Sequence, residues 1–342
     1  GYNVRMESEP MLAGAIISAI LAAWHGLWQH IADEAALVHS ERSASLASAW
    51  VSLEHDETLL AEPRLTLNGL RASGRIESQA WQWQAGQAIV TLSDAAPQHL
   101  EVLLTAPQRF SASGPMGRAT AVLWADNLGA RLALRKDGRV ANVTITGDGL
   151  TLIGPQFEIA ISKAKITSED VSNGMLRLTL SLASVSLPVD WRLGAPLSGN
   201  IDKAEMVGWI EGVGPPLPIN AAGWHKAEGA LDISSLDLTW GPLSAQGSAR
   251  ATLDKALKLQ GHGRFTLNRI DAVLEAAAAA ELISANWQHA ISTALDRLAG
   301  VRGEENSQRV TGHFSMANGV LRWAGLPLAV LPALGCSETA AC

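Results

Sequence analysis

Apolar residues fall on alternate positions through most of this chain, most regularly in residues 223–267. Side chains of a strand point to opposite faces with period two, whereas a helix repeats every 3.6 residues, so strict alternation specifies half-buried strands. Leu231 and Ile233, then Leu236, Leu238 and Trp240, then Ala249, Ala251 and Leu253, then Phe265 and Leu267 fall on one side of successive strands. Turns are expected at Gly241 with Pro242 and at Gly247. The pattern predicts a β-meander with one apolar and one polar face.

The same alternation opens near Arg64 and continues through Leu65 and Leu67, Trp81 and Trp83, Val90 and Leu92, and Leu100, Val102 and Leu104. It resumes at Leu132 and Leu134, Val143 and Ile145, Leu150 and Leu152, Ile159 and Ile161, and residues 176–182. Asp137 with Gly138, Asn173 with Gly174 and Asn318 with Gly319 mark tight hairpins, because both central positions of such turns need positive φ. Residues 197–218 interrupt the pattern: 201–210 read as a short helix, and the prolines at 215, 216 and 218 cannot continue a helix or a central strand. A longer helix is expected over 268–300, with Asn268 as N-cap, Asp271 in its first turn and an apolar stripe through Ile283, Trp287, Ile291, Leu295 and Leu298.

The expected fold is mainly β: a long antiparallel meander forming curved sheets, with an N-terminal apolar helix and one amphipathic helix packed on the C-terminal sheet. Residues 1–50 form the apolar helix and a stalk, 60–198 a first β-rich half, 199–334 a second half containing the 268–300 helix, and 335–342 a tail. Residues 11–24, extended by Leu27, Trp28 and Ile31, are the one long apolar run. That core is short of the roughly 20 residues a span needs. An uncleaved anchor, an export signal and a packed helix all fit it, and Trp24 and Trp28 at its end suit a membrane interface. Cys336 and Cys342 lie in the tail, where a disulfide would enclose little chain.

Composition narrows the function classes. Charged residues make up 17% of the chain against roughly 25% in a typical soluble domain, and the net charge is -7. Nucleic acid is therefore not an expected partner overall. Motifs for covalent chemistry are missing: the nine His form no His-Glu-x-x-His pair, and no Gly-x-Ser-x-Gly elbow occurs. Glu54, His55, Asp56 and Glu57 are the densest ionisable cluster, but sequence neighbours point apart, so a solvated loop is expected there in preference to a metal site. Gly261, His262 and Gly263 copy half of a dinucleotide fingerprint in front of a strand, without the helix N-terminus that a pyrophosphate requires. Trp81 and Trp83 share a strand face and either stack on a ligand or fill a β core. No catalytic, metal or cofactor residues are expected, and the candidate binding surface is the apolar face carrying Trp81, Trp83, Leu231, Ile233, Leu236, Leu238, Trp240, Phe265 and Leu267.

Several linked segments resemble a bacterial family, the domain of unknown function 2125. They are Gly223 and Trp224; Gly229, Ala230, Leu231 and Asp232; residues 236–243; residues 251–254; residues 261–263; and the closing run 318–328. Trp81, Gln82, Trp83, Gln84 and Ala85, with Pro107, Gln108, Arg109 and Phe110, fit the family's first half. The closing run is also similar to the last strands of AsmA-like envelope proteins. The resemblance implies one N-terminal anchor in the inner membrane and a long β-rich part facing the periplasm of a Gram-negative bacterium. It implies no catalytic residues.

The expectation is a non-catalytic, membrane-anchored periplasmic β-scaffold whose apolar face binds lipid acyl chains or supports envelope assembly with partner proteins. A protein-interaction scaffold with a sealed core is the alternative, with the 268–300 helix as the seal. An outer-membrane barrel also alternates but calls for aromatic girdles, and the chain has one Tyr. A hydrolase has only scattered Ser, His and Asp behind it.

Overall fold

Alternation carries directly into the architecture. The computed structural model describes residues 51–60, 64–76, 79–92, 99–114, 117–136, 140–155, 157–172, 174–188, 197, 199–212, 221–279, 289, 293, 309–323 and 326–330. The first strands are β1 (Val51–Leu60), β2 (Arg64–Ile76), β3 (Gln79–Ala85), β4 (Gln87–Leu92), β5 (His99–Leu104), β6 (Gln108–Gly114), β7 (Gly117–Trp124), β8 (Asn127–Leu134) and β9 (Val140–Ile153). Then come β10 (Glu158–Ser172), β11 (Met175–Ser186), β12 (Asn200–Glu211), β13 (Ala230–Trp240), β14 (Leu243–Leu253), β15 (Leu259–Asn268), β16 (Arg309–Ala317), β17 (Val320–Trp323) and β18 (Leu326–Val330). Helix α1 (Ala221–Lys226) precedes β13, and α2 (Ile270–Ala279) follows β15.

All eighteen strands join one antiparallel sheet. Three neighbouring pairs are single strands with a local break. β3 and β4 keep one register against β2, with Arg71 opposite Gln84 and Arg64 opposite Thr91, and only Gly86 between them. β5 and β6 lie along β4 and β3, and β7 and β8 along β6 and β5. With these merged, the sheet is a ladder of fifteen rungs, each bonded to the rungs before and after it in sequence. Short hairpins suffice for such a meander, and the turns comply. Asn318 (φ 55°) and Gly319 (φ 76°) join β16 to β17 with Ala317 opposite Val320, the two-residue turn expected from their sequence. Residues 137–139 and Asn173, at two other expected turns, lie outside the described residues.

Several local expectations are corrected. The sheet begins at β1, ahead of Arg64, and Glu54, His55, Asp56 and Glu57 stand in that strand instead of a loop. Its nine positions paired with β2 satisfy the backbone whatever the side-chain polarity, and charge suits a strand near a sheet's end. Residues 201–210 form β12, not a helix. Hydrogen-bonding neighbours on both sides, β11 and β13, override the helix-forming composition. Gly247 lies mid-strand in β14 opposite Phe265 and makes no turn. Asn268 ends β15 and spends its side chain on Ser244 (Nδ2 to Oγ, 2.8 Å), so it does not cap α2; Arg269, at φ 58°, makes the transition instead.

Residues 231–240 are one strand, where the alternation suggested two. The phase of the apolar residues changes from odd to even numbers between Ile233 and Leu236, and the ladder shifts register there against both β12 and β14. The extra residue of a β-bulge absorbs the phase change, so both apolar sets stay on one face.

Candidate functional site: a continuous apolar sheet face

Register shows how far the apolar face extends. Ile145 of β9 lies opposite Ile166 of β10, which lies opposite Leu180, then Met206, Leu236, Gly247, Phe265 and Gly312 on successive strands to β16. A parallel row runs through Ser168, Leu178, Gly208, Ile233, Ala249, Gly263 and Phe314. On the other side of β9 the same face continues through Leu132, Leu100, Val90 and Leu67 to Trp83 and Trp81. One apolar surface thus runs through the sheet from β2 to β16.

Its two parts differ in exposure. From β2 to β9 it is enclosed: Leu67, Leu100 and Leu132 are 0% exposed, and they share one cluster with Trp81, Trp83, Val102, Val143 and Ile145. From β10 to β14 the corresponding residues, among them Ile166, Leu178, Leu180, Met206, Ile210, Leu231, Ile233, Leu236 and Leu238, are only partly buried. Helix α2 covers one margin. Ala272 and Ala276 pack on Leu243 beside Trp240, and Ile270 packs on Val310 beside Leu267 and Phe314. Alanines let the helix approach the sheet closely there; residues 280–300 of the expected helix, apart from His289 and Thr293, lie outside the described residues.

The residues expected to form the site therefore separate. Leu231, Ile233, Leu236, Leu238, Trp240, Phe265 and Leu267 do share one face, and all seven are partly buried. Trp81 and Trp83 lie on the same continuous face but inside its enclosed part, at 5% and 4% exposure. The structure gives them the core role. Sequence reasoning did not place Met206 and Ile210 on this face, because the helix-forming residues of 201–210 masked a period-two series of Ala204, Met206, Gly208 and Ile210.

Phe265 is held in place by absences. A Cβ on Gly247 would meet the Phe265 ring at 2.4 Å and the Arg264 carbonyl at 2.4 Å, so the ring covers the glycine opposite it. Its edge meets Phe314 at a centroid distance of 5.1 Å and an interplanar angle of 90°, a favoured aromatic geometry. Glycine in a strand marks a close approach of this kind.

The opposite face mixes polar and charged residues with apolar ones such as Leu103, Val207 and Trp209, and is laced by cross-strand ion pairs. Arg250 bonds Glu211 (Nη2 to Oε2, 2.9 Å) and Asp232 (Nη1 to Oδ2, 3.0 Å), and hydrogen bonding from Glu211 first and Asp232 second raises its pKa. Lys203 lies 2.8 Å from Glu205 and 3.6 Å from Asp237, with its pKa raised chiefly by the Glu205 hydrogen bond. Arg131 pairs with Glu101 at 2.8 Å. A shallow concavity of about 500 Å³ on this face is lined by Lys165, Glu169, Arg177 and Glu205 among others, a mixture of both charge signs. Among the described residues two buried polar atoms of the enclosed half, Trp81 Nε1 and Gln108 Oε1, have no hydrogen-bond partner. Neither feature assembles a nucleophile, a base and an orienting group.

Among the described residues no helix is long and apolar enough to cross a membrane. Residues 11–31, where an apolar helix is expected, and Cys336 and Cys342 lie outside them. Residues 57–332 match the model of a family described as uncharacterized proteins conserved in bacteria, the domain of unknown function 2125. No curated protein and no solved structure matches the chain.

Proposed function

The chain belongs to the domain of unknown function 2125 family, and we propose that it is a non-catalytic β-scaffold of the cell envelope that holds lipid acyl chains on the open stretch of its apolar face. The observation that carries this reading is the partly exposed row from Ile166 through Leu180, Met206 and Leu236, set in a face whose other half is enclosed. A strongly twisted sheet of more than about ten strands curls, splits or flattens, and a meander that curls turns one face into a trough. Each methylene removed from water contributes about 0.8 kcal/mol, so burying a dozen on this surface is worth on the order of 10 kcal/mol before ordering costs. No polar constellation is required for that. The similarity to AsmA-like envelope proteins and the apolar run at 11–31 fit a scaffold anchored in the inner membrane and facing the periplasm.

The test is native mass spectrometry of the full chain after gentle extraction, followed by incubation of delipidated protein with phospholipid vesicles. Co-purified or acquired lipid at defined stoichiometry is expected. Protein that carries none and takes up none sinks the proposal. A second reading, an interaction scaffold with a sealed core, draws on the α2 contacts at Leu243 and Val310 and on the enclosure of β2 to β9. It expects lipid-free protein that captures an envelope protein through its outer surface.

A further inference from the structure

Register also sorts the charges of the outer face, and it leaves the stretch from β15 to β17 without a carboxylate. On β14 that face presents Ser244, Gln246, Ser248, Arg250 and Thr252; on β15, Gln260, His262, Arg264, Thr266 and Asn268. On β16 it presents Arg309, Thr311, His313, Ser315 and Ala317, and on β17, Val320 and Arg322. Arg250 is engaged by Glu211 and Asp232 at the border. Beyond it, Arg264 stands directly opposite His313, His262 opposite Ser315, and Ser315 opposite Arg322. His262, Arg264, Arg309 and His313 are exposed and Arg322 partly so. Among the described residues none of these three arginines has an ion-pair partner, nor has exposed Arg109 on β6, whereas Arg131, Arg177 and Arg250 between them are each paired with a carboxylate.

We propose that this outer face of β15 to β17 docks on the anionic head groups of a lipid bilayer. Three strands at about 4.8 Å spacing and six residues at about 3.3 Å make a platform roughly 10 by 20 Å. Arginine forks match phosphate oxygens bidentately. Placing Arg264 beside His313 brings basic groups together with no internal neutralisation, in a chain whose net charge is -7, so the complementary charge comes from outside. A bilayer fits better than a nucleic acid. A long polyanion tracking across the strands would run from the arginines into Glu211, Asp232, Asp237 and Glu205, while a membrane surface can be touched by the last rungs alone. This contact uses charge on the face opposite the apolar one, so it stands or falls independently of acyl-chain binding.

The test is vesicle flotation of the full chain with phosphatidylcholine alone and with added phosphatidylglycerol, at low and high salt. The readout is the ratio of anionic to neutral binding, which apolar insertion of an N-terminal segment leaves unchanged. The unmodified chain is expected to prefer anionic vesicles, with the preference fading as salt rises. Combined Arg264→Gln, Arg309→Gln and Arg322→Gln should lower the ratio by at least about tenfold, from roughly fivefold per basic residue at a membrane surface. Combined Arg131→Gln and Arg177→Gln should not. Equal binding of the unmodified chain to both vesicle types, which needs no variant, overturns the proposal. So does an unchanged ratio in the triple variant, or a preference of the unmodified chain for duplex DNA over anionic vesicles at equal phosphate.

Discussion

Leu132 and Leu180 occupy the same apolar face, one in its enclosed half and one in its open half, and truncating each should have different consequences. Leu132 is 0% exposed, between Leu100 and Val143 on neighbouring strands. Leu132→Ala loses the transfer energy of the removed carbons and leaves a void that closed packing cannot fill, about 3–5 kcal/mol together. Leu180, opposite Ile166 and Met206, is partly exposed. Leu180→Ala removes less buried surface and opens no cavity, because water or a neighbouring chain reaches the space, so about 1 kcal/mol is expected. Urea unfolding of delipidated protein reads both, through the transition midpoint at unchanged slope. Added fatty acid should then raise the midpoint of the unmodified chain and of Leu132→Ala, and raise that of Leu180→Ala less, since a ligand stabilises in proportion to its affinity for the folded state. Equal losses for the two variants would refute the reasoning by showing β11 to be as sealed as β8.

Three further outcomes follow from particular contacts. Deleting Ser235 alone should be tolerated, because it removes the bulge and keeps Leu236, Leu238 and Trp240 on the apolar face; deleting Ser234 and Ser235 together reverses their phase and should yield aggregated protein, as read by size-exclusion chromatography. Gly247→Val should cost about 2 kcal/mol or more in thermal unfolding, because its side chain takes the space of the Phe265 ring and abuts the Arg264 carbonyl. Lys203 contributes stability that is fully present below its ordinary value of 10.5 and is lost as pH rises through its higher folded value; Lys203→Met should therefore lower the neutral plateau of a stability profile slightly and flatten its alkaline limb above about pH 10.

Strand-level structure was legible wherever one face is apolar and the other polar, as in 176–182 and 259–267, since period two admits few other readings. The hairpin at Asn318 and Gly319 was legible for a local reason, the positive φ both residues tolerate. β1 was not, because a charged strand near a sheet's end shows no alternation and owes its conformation to β2. β12 was hidden by Lys203, Glu205 and Met206, good helix formers that two flanking strands hold extended. The bulge at Ser234 and Ser235 left a trace as a phase change, which equally resembles a boundary between two strands. For the site, alternation located the face but carried no information on what covers it. Trp81 and Leu236 sit in equivalent patterns, and only tertiary packing makes one a core residue and leaves the other at a partly open surface.

The central claim is that the stretch from β10 to β14 is an open acyl-chain surface. Photo-crosslinking with a diazirine-labelled fatty acid, mapped by peptide mass spectrometry, tests it most directly. Labels are expected on Leu178, Leu180, Met206, Ile233 and Leu238, with none on Trp83, Leu100 or Leu132. Labelling of the enclosed half, or of outer-face residues alone, would contradict it.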